Sequence, residues 1–320
     1  MNPPRTMHGL VPDASSPLAV RLVPDLSLPD VRAGEILVRV THTTVNGHEF
    51  HLAQKPLVRA MAFLSRARGV VRTGLEFAGV VVSDGARFRS GDRVMGYAEV
   101  VAGVKPHAEY VAIPEAFVAA VPESISMAAA STLPMSGMTA LGAVRDVAKV
   151  ERGQSVLVIG ATGGVGVLAV QLAHLYGAEV TAVASTAHHD RLRELGAQHV
   201  VDYRETPIAK MQGSFDAILE FSDTLELGKV SHLLGDAGVF VPADPMRNLL
   251  DILLWKQARY LLVDRGDTAW LEELAAWVDD GKLVPVLDQV FAFDAWKDAV
   301  ARGQTRGRIG RTVLSFEDAA

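Results

Sequence analysis

The stretch SVLVIGATGGVGVLAVQLA, residues 155–173, decides the fold of this chain. Its first residues are a short run of Val, Leu and Ile, which predicts a buried strand ending at Gly160. A glycine-rich turn follows, and a helix is predicted from Val165 to Gly177, where a helix C-cap favours glycine. This segment is apolar nearly all round, so we expect the helix to be buried.

The order of strand, glycine turn and helix is typical of a loop that binds the diphosphate of a dinucleotide. Glycine lets the backbone turn tightly and approach the phosphates, and a helix N-terminus offers free N–H groups to an anion. The predicted cofactor-binding residues here are Ala161, Thr162, Gly163, Gly164, Val165 and Gly166. Ala161, Gly163 and Gly166 take the three small-residue positions of the fingerprint. The alternative is a tight turn that binds nothing. A P-loop is excluded, because Val167 stands where that motif requires lysine.

Five more short apolar runs follow the loop and alternate with segments that favour helix. Because parallel strands need crossover connections, this alternation predicts an open, doubly wound parallel sheet. A second helix is expected over 187–196. The further strands are predicted at 178–185, 198–203, 214–221, 237–243 and 258–263.

The end of the second predicted strand indicates which dinucleotide is bound. NAD sites commonly place Asp or Glu there, whereas residues 181–186 contain no carboxylate that would repel a 2′-phosphate. Ser185 and Thr186 can donate hydrogen bonds, and His189 and Arg191 can supply positive charge. NADP(H) is therefore the predicted cofactor. The alternative for Arg191 is a solvated helix face, since it is spaced to pair with a glutamate three residues later.

The composition is that of an ordinary globular protein of about two domains, with 320 residues, 49% of them hydrophobic and 21% charged. A net charge of −6 argues against a nucleic-acid partner, which favours a basic surplus. The chain has no cysteine, which excludes disulfides, thiolate metal sites and cysteine nucleophiles. Neither a signal peptide nor an apolar window of about 18 residues is recognisable. We therefore expect a cytoplasmic protein without a membrane partner.

The sequence on either side of the strand–helix region has a different rhythm. Short β-branched runs predict strands at 35–45, 79–85, 88–97 and 107–114. The Ala- and Met-rich stretch 123–150 predicts two short helices. Towards the end of the chain we expect a helix over 268–281, a strand over 284–293 and, within 305–316, a strand that rejoins the first part of the chain.

Together these segments resemble the medium-chain dehydrogenase/reductase superfamily, specifically its zinc-independent quinone oxidoreductase (zeta-crystallin-like) branch. The similarity covers nearly the whole chain and includes VRVTHTTVNGHEF, GLEFAGVVV, GDRVMG, HAEYVAIP, MSGMTAL, ELGAQHVVDYRE and the terminal GRTVL. The resemblance implies an α/β fold in which a GroES-like β-barrel catalytic domain (1–123 and 284–320) carries a doubly wound Rossmann domain (124–283). The active site would lie in the cleft between them.

The resemblance also bears on metal binding. Zinc-dependent relatives hold the metal at positions that correspond here to Asn46, Leu75 and Met135. An amide, an isobutyl group and a thioether cannot form a catalytic zinc site, so no metal is expected. The sequence HEFH, residues 48–51, has two histidines that could chelate on a helix. The alternative for them is a position in the cleft lining or on the surface.

The resemblance assigns roles to several further residues. Asn46 would orient the nicotinamide ring or the substrate oxygen, unless it only stabilises a turn. Thr139 would lie beside the cofactor, or be an ordinary helix hydroxyl. Glu220 and Phe221 would lie on the nicotinamide side of the cleft. Tyr203 would flank the adenosine, with core packing as the alternative.

No residue identifies itself as the proton donor. Tyr97, His48 and His107 lie in segments that could line the cleft, and solvent is the alternative donor. The arginines at 302, 306, 308 and 311 are interpreted as a solvated tail, with phosphate contact as the alternative. The basic and apolar stretch 56–74 either covers the mouth of the active site or forms an amphipathic surface helix.

The predicted function is metal-independent, NADPH-dependent transfer of hydride to a quinone or an α,β-unsaturated carbonyl, since electron-poor acceptors need no metal to polarise them. One alternative is an enoyl reductase acting on a polyketide-like biosynthetic intermediate. An alternative of another class is an NADPH-binding structural or redox-sensing protein with little turnover. The expected partners are a small-molecule substrate and a second copy of the chain, joined through the edge strand 258–263.

Overall fold

The computed structural model describes residues 4–46, 73–98, 105–244, 247–259 and 268–317. The HEFH sequence, residues 56–72 and the end of the predicted strand 258–263 lie outside the described residues. The strands are β1 (Thr6–Pro12), β2 (Val20–Ser27), β3 (Glu35–Val45), β4 (Glu76–Val81), β5 (Arg93–Tyr97), β6 (Tyr110–Pro114), β7 (Val118–Ala120), β8 (Ser155–Ile159), β9 (Glu179–Ala184), β10 (His199–Asp202), β11 (Phe215–Glu220), β12 (Leu234–Pro242), β13 (Leu287–Ala292) and β14 (Arg311–Ser315). The α-helices are α1 (Met127–Ala130), α2 (Pro134–Leu141), α3 (Gly164–Leu175), α4 (His189–Glu194), α5 (Leu227–Val230), α6 (Leu249–Leu254), α7 (Thr268–Asp279) and α8 (Trp296–Gln304).

Strands β8 to β12 form a parallel sheet in the order β10-β9-β8-β11-β12. Val156 on the central strand β8 lies beside Val180 on one side and Ala217 on the other. The strand order reverses between β8 and β11, so the carboxyl ends of these two strands flank the crevice where such sheets bind ligands. Beyond β12, Ala258 forms a parallel bridge with Phe240 at the position predicted for a sixth strand.

The strands of the first and last parts of the chain join a seven-stranded sheet. The neighbours are β13-β14-β3-β4-β5-β7, and β6 pairs with β3. β14 lies antiparallel to β3, with Thr312 beside Val45. The prediction that the end of the chain rejoins its first part is therefore confirmed, and so is the predicted α/β fold of a GroES-like unit with a Rossmann unit. The strand is shorter than predicted because Gly307 and Gly310 adopt positive φ angles and turn the chain just before it.

The segment 123–150 contains the two predicted short helices, and a π-helical turn over Gly142–Val147 continues α2. Leu133, Met138 and Leu141 lie in an apolar cluster that contains residues from both large sheets. The predicted strand 88–97 is the main difference, since only Arg93–Tyr97 is extended. Gly91 has a φ of 101°, which places a turn there instead. None of the described helices is long and apolar enough to cross a bilayer.

The buried side chain of Gln171 contacts the chain where it passes from α7 back towards the seven-stranded sheet, the barrel-type sheet of the structure. The Gln171 amide accepts a hydrogen bond from the Val284 N–H at 2.8 Å and donates to the Val284 carbonyl at 3.0 Å. Gln171 lies on the buried helix α3, whose first turn follows the glycine loop. The return of the chain is thus fastened to the helix that forms one wall of the predicted phosphate site.

Candidate active site

The glycine-rich turn joins β8 to α3, as the sequence predicts. β8 ends at Ile159, and Gly163 is the N-cap residue of α3 with φ −66° and ψ 163°. No side chain caps this end of the helix. The first N–H groups of α3 therefore have no side-chain acceptor in the part of the chain that the structure describes, and with the positive end of the helix dipole they favour an anion.

Two glycines of the turn are required by its geometry. Gly160 has a φ of 76°, and a Cβ on it would lie 2.7 Å from the backbone of Phe221. A Cβ on Gly166 would lie 2.2 Å from the Gly160 carbonyl oxygen. At Gly163, by contrast, a Cβ would meet only that carbonyl oxygen, at 3.4 Å. The space beside Gly163 is thus open to a ligand.

The other predicted loop residues surround this opening. Ala161 is fully buried, and Thr162 and Val165 are half-buried. The Thr162 carbonyl accepts a hydrogen bond from the Gly310 N–H at 2.8 Å. The segment that leads into β14 therefore lies directly against the phosphate loop.

This contact brings Arg311, the first residue of β14, to the start of α3. A Cβ on Gly164 would lie 2.1 Å from Arg311 Nε, so only glycine leaves room for the guanidinium. Arg311 is 7% exposed, and its Nε donates to Ser136 Oγ at 2.9 Å and lies 3.3 Å from Glu76 Oε1. Its two Nη groups form no hydrogen bond with the described residues.

The interpretation of the terminal arginines as a solvated tail is therefore wrong for three of the four. Arg311 is buried, and Arg302 forms a bidentate pair with Asp288 at 2.5 and 2.7 Å. Burial and the nearby Arg311 charge lower the pKa of the half-buried Arg308 to about 10, which leaves it cationic at neutral pH. Of the four, only Arg306 is classed as exposed. The signal in the sequence was the apolar run TVL directly after Arg311, which marks the arginine as the start of a buried strand.

The second predicted contact region lies at the ends of β9 and β10. Ser185 follows β9, and its hydroxyl has no hydrogen-bond partner among the described residues. Thr186 donates both its N–H, at 2.8 Å, and its hydroxyl, at 2.5 Å, to Asp202 Oδ2. The Thr186 hydroxyl hydrogen is therefore directed at Asp202, and contact of Thr186 with a phosphate stays a prediction.

Asp202, the residue before Tyr203, supplies a carboxylate to this region. It ends β10, and its register with Ala184 brings it beside the end of β9. The Thr186 hydroxyl and the backbone N–H groups of Arg204 and Thr186 lower the pKa of Asp202 to about 2. The acidic group at the end of β9 thus comes from the neighbouring strand, which spacing along a single strand does not reveal.

The remaining residues of this region are accessible. Tyr203 is 40% exposed, with the Arg204 guanidinium 5.5 Å from its ring centre, so the alternative of core packing is wrong. His189 is half-buried at the start of α4. Arg191 pairs with Glu194 at 2.7 Å, and both side chains are exposed. An exposed pair of this kind contributes little, so an incoming phosphate can compete for the arginine.

At the other side of the loop, β11 ends at Glu220, which is fully buried. Its Oε1 accepts hydrogen bonds from the N–H of Ser222 at 2.9 Å and from the Ser222 hydroxyl, whereas its Oε2 has no partner among the described residues. Burial raises the pKa of Glu220 above its ordinary value. Phe221 follows and is half-buried. An unsatisfied buried carboxyl oxygen at this crevice is a feature that a polar ligand group would complete.

Two of the zinc-ligand positions lie at the same end of two neighbouring strands in the seven-stranded sheet. Asn46 directly follows β3 and Leu75 directly precedes β4, and Thr43 lies beside Phe77 in this antiparallel pair. Met135 lies in the first turn of α2. Thr139, one turn later, is half-buried and donates its hydroxyl to the Met135 carbonyl at 2.7 Å. Contact of Asn46 or Thr139 with a cofactor stays a prediction.

The two described candidates for a proton donor are in the interior. Tyr97 is fully buried, and its ring packs edge-on against Phe117 with the centres 5.2 Å apart. His107 is also fully buried; its Nε2 donates to the Thr44 carbonyl at 2.8 Å and its Nδ1 faces Thr73 Oγ1 at 2.7 Å. Burial lowers the pKa of His107 to about 4, so the ring is neutral at neutral pH. His107 is therefore a structural link rather than an acid.

Two family models match the chain. One, described as an alcohol dehydrogenase GroES-like domain, matches residues 32–123, and the other, described as a zinc-binding dehydrogenase, matches residues 195–314. Despite the second description, no group of three His, Asp or Glu side chains able to hold a metal occurs among the described residues.

Relatives and solved structures agree with these matches. The chain is 29% identical over 314 residues to the 2-methylene-furan-3-one reductase of Solanum lycopersicum, covering 94% of this chain and 77% of that protein. It is 32% identical to erythronolide synthase EryA2 of Saccharopolyspora erythraea, over 98% of this chain but 9% of that protein. The quinone oxidoreductase of Coxiella burnetii superposes with a TM-score of 0.83 at 26% identity, over 97% of this chain and 99% of that one.

The two matches lie on either side of the glycine loop in the sequence, and they include Glu76 and Arg311. The Rossmann-type sheet and its glycine loop are of the kind that binds nicotinamide dinucleotides, and oxidoreductases of this type carry the second domain beside them. The chain belongs to the medium-chain dehydrogenase/reductase superfamily, among its quinone oxidoreductase-like members.

Proposed function

We propose that this protein is a metal-independent, NADPH-dependent reductase that transfers hydride to a quinone or an α,β-unsaturated carbonyl. The observation that carries the proposal is the uncapped start of α3 with the buried Arg311 beside it. Both features lie at the start of α3, directly after the loop that follows β8, and the positions that hold zinc in zinc-dependent relatives carry Asn46, Leu75 and Met135 here.

The described residues fit a dinucleotide phosphate. The diphosphate would rest on the N–H groups at the start of α3, with the Nη groups of Arg311 on its other side. Ser185, His189 and Arg191 would receive the 2′-phosphate, and the exposed Tyr203 ring would cover the adenosine. Glu220 and Phe221 would face the nicotinamide half. NADPH supplies the hydride of the reaction.

The residues at the positions that hold zinc in zinc-dependent relatives do not fit a catalytic zinc ion. Zinc takes thiolate, imidazole or carboxylate ligands, whereas the corresponding positions carry an amide, an isobutyl group and a thioether. The nearby carboxylate of Glu76 is already occupied by Thr44, Ser136 and Arg311. No step of the proposed reaction therefore passes through a metal.

Without a metal, the substrate must already be electron-poor. Hydride adds to the β-carbon of an enone, or to a quinone, and the negative charge moves to the carbonyl oxygen. The Asn46 amide N–H groups would donate to that oxygen and hold it in place. Water would deliver the proton that completes the product, since the two candidate donors among the described residues, Tyr97 and His107, are both fully buried.

Steady-state assays test this proposal. Protein treated with a chelator should oxidise NADPH in the presence of a small quinone or an aliphatic enone, and should do so with a lower KM for NADPH than for NADH. Added zinc should not raise the rate. Oxidation of NADPH by neither acceptor, or activity that requires stoichiometric zinc, would contradict the proposal.

Two alternatives make different predictions in the same assay. The identity with a polyketide synthase favours an enoyl reductase, which would reduce an enoyl thioester faster than a free enone or quinone. A binding protein with little turnover would take up NADPH in calorimetry, yet oxidise it with none of these acceptors.

We also propose that two copies associate at the edge of the parallel sheet. Residues Gln257 and Arg259 hydrogen-bond to Phe240 on the edge strand β12. On the preceding helix α6, Leu253 and Leu254 are 69% and 73% exposed, an apolar stripe that a second copy would cover. Light scattering should show a dimer that Leu254→Glu weakens, and a monomeric wild type would contradict this.

A further inference from the structure

The carboxylate of Glu76 lies at a junction of four segments. Glu76 begins β4 and is 1% exposed. Its Oε1 accepts hydrogen bonds from Thr44 Oγ1 at 3.0 Å and from Ser136 Oγ at 2.9 Å, and its Oε2 accepts one from the Ser136 N–H at 3.0 Å. Arg311 Nε lies 3.3 Å from Oε1. We refer to Thr44, Glu76, Ser136 and Arg311 as the Glu76 network.

Ser136 is the connecting member of the network. Its hydroxyl donates to Glu76 and at the same time accepts from Arg311 Nε at 2.9 Å. It is fully buried in the first turn of α2, so its position depends on the helix and not on solvent. The Arg311 guanidinium is thus held along its Nε edge, while its Nη groups keep their donors for another partner.

The network joins segments that are far apart in the chain. Thr44 stands two residues before Asn46, Glu76 directly follows Leu75, and Ser136 directly follows Met135. The three positions that a metal would connect in zinc-dependent relatives therefore each lie within two residues of a member of the network. Their own side chains are half-buried, whereas the network residues beside them are buried.

We propose that the Glu76 network takes over this connecting role, and that Thr44 and Ser136 are positioning residues that hold Arg311 against the start of α3 for the nucleotide diphosphate. The nature of the ligand rests on the proposed function, but the connection itself does not.

Physical chemistry supports a positioning role over a merely stabilising one. A buried ion pair by itself contributes little net stability, because both charges lose their hydration. Here three hydrogen bonds satisfy the carboxylate and fix its orientation, which in turn fixes the arginine. Removal of one hydroxyl leaves both charges buried but frees the guanidinium to rotate, so ligand affinity should suffer before the fold does.

Matched variants test the two positioning residues. Thr44→Val removes the hydroxyl but keeps the shape of the side chain, and Thr44→Ser keeps the hydroxyl. Ser136→Ala is compared with Ser131→Ala, because Ser131 is also fully buried and, among the described residues, its hydroxyl bonds only to the Ala128 carbonyl. Calorimetry would measure binding of NADPH and of adenosine 2′-monophosphate, which lacks a diphosphate.

Thr44→Val and Ser136→Ala should each weaken NADPH binding about tenfold, the loss of one hydrogen bond to a charged group. Adenosine 2′-monophosphate should bind as it does to the wild type. Thr44→Ser and Ser131→Ala should leave both affinities unchanged, and Ser131→Ala should also leave kcat at saturating NADPH within about twofold of wild type.

Other outcomes separate the two proposals. If wild type binds NADPH and both Thr44→Val and Ser136→Ala bind it equally well, the network does not position Arg311 and this inference is overturned. Loss of both nucleotides in the same proportion would also overturn it, since that indicates a general structural effect. If wild type binds neither nucleotide, the proposed function fails instead. If Ser136→Ala does not fold, the comparison of Thr44→Val with Thr44→Ser tests the inference by itself.

Discussion

The two ends of the proposed nucleotide site are built differently. At the diphosphate end, a glycine-rich loop faces a buried arginine that is held by a buried glutamate and serine. At the ribose end, the cations are exposed on α4 and paired with acids of the same helix, and Asp202 is fully satisfied by its own neighbours. The first end is therefore pre-organised for an anion, and the second must rearrange to receive one. Affinity should come mainly from the first, and preference between NADPH and NADH from the second.

The strongest test of the diphosphate end is a pair of glycine variants. Gly166→Ala puts a methyl group 2.2 Å from the Gly160 carbonyl oxygen, so NADPH affinity should fall about 100-fold or more and stability by about 3 kcal/mol. Gly163→Ala meets only one atom, at 3.4 Å, and should weaken binding while unfolding like wild type. Calorimetry and urea titration measure the two effects, and equal stability losses would contradict the distinction.

Removal of the arginine should have the next largest effect. Arg311→Met deletes the phosphate partner and leaves Glu76 buried without its cation, so we expect about 30-fold weaker NADPH binding and about 3 kcal/mol of lost stability. The double variant Arg311→Met with Glu76→Gln should recover much of the stability but none of the affinity. Recovery of affinity in the double variant would show that Arg311 does not contact the nucleotide.

A fall in pH should destabilise the diphosphate end before the ribose end. His107 supports Thr44 of the diphosphate end, and burial lowers the pKa of His107 from its usual 6.5 to about 4. Below pH 6.5 the unfolded chain takes up a proton that the folded protein refuses, so stability falls by about 3 kcal/mol as the pH drops from 6.5 to 4.

The pKa of Asp202 is lowered to about 2, so its carboxylate stays charged and hydrogen-bonded to Thr186 between pH 6.5 and 4. The stability that Asp202 contributes at the ribose end is lost only as the pH falls from about 3.8 towards 2. Urea titrations at several pH values would measure the slope. His107→Gln should remove most of the dependence between pH 6.5 and 4, and an unchanged slope would exclude His107 as its source.

The smallest effect is expected at the ribose end. Arg191→Gln should weaken NADPH binding about threefold and leave NADH binding unchanged, because an exposed, solvent-screened contact contributes less than about 1 kcal/mol. Arg193→Gln, on the same helix and paired with Asp190, serves as the control and should change neither affinity. If Arg193→Gln weakened NADPH binding more than Arg191→Gln does, the 2′-phosphate would have to bind beside Arg193 and not beside Arg191.

The contrast between the ends also explains which site residues were predictable. The turn from Gly160 to Gly166 could be predicted because its proposed function depends on the backbone. A backbone that turns tightly requires glycine, and four glycines occur within these seven residues. The contacts of Asp202 with Thr186 and of Arg311 with Gly164 were not predicted, because each of the two residues enters from a neighbouring strand or from the end of the chain. Tyr97 and His107 were considered as proton donors because the residue type shows that a side chain can titrate. It does not show whether that side chain is buried, as both of these are.

The sequence by itself determined the two kinds of sheet, the position of the phosphate loop and the absence of thiolate chemistry. These features follow from local periodicity, glycine placement and composition, which act over a few residues at a time. Only the tertiary structure decided that Arg311 meets Gly164, that Ser136 connects it to Glu76 and that Asp202 occupies Thr186. Those contacts join residues up to 175 positions apart, and no pattern along the chain records which distant segments packing will bring together.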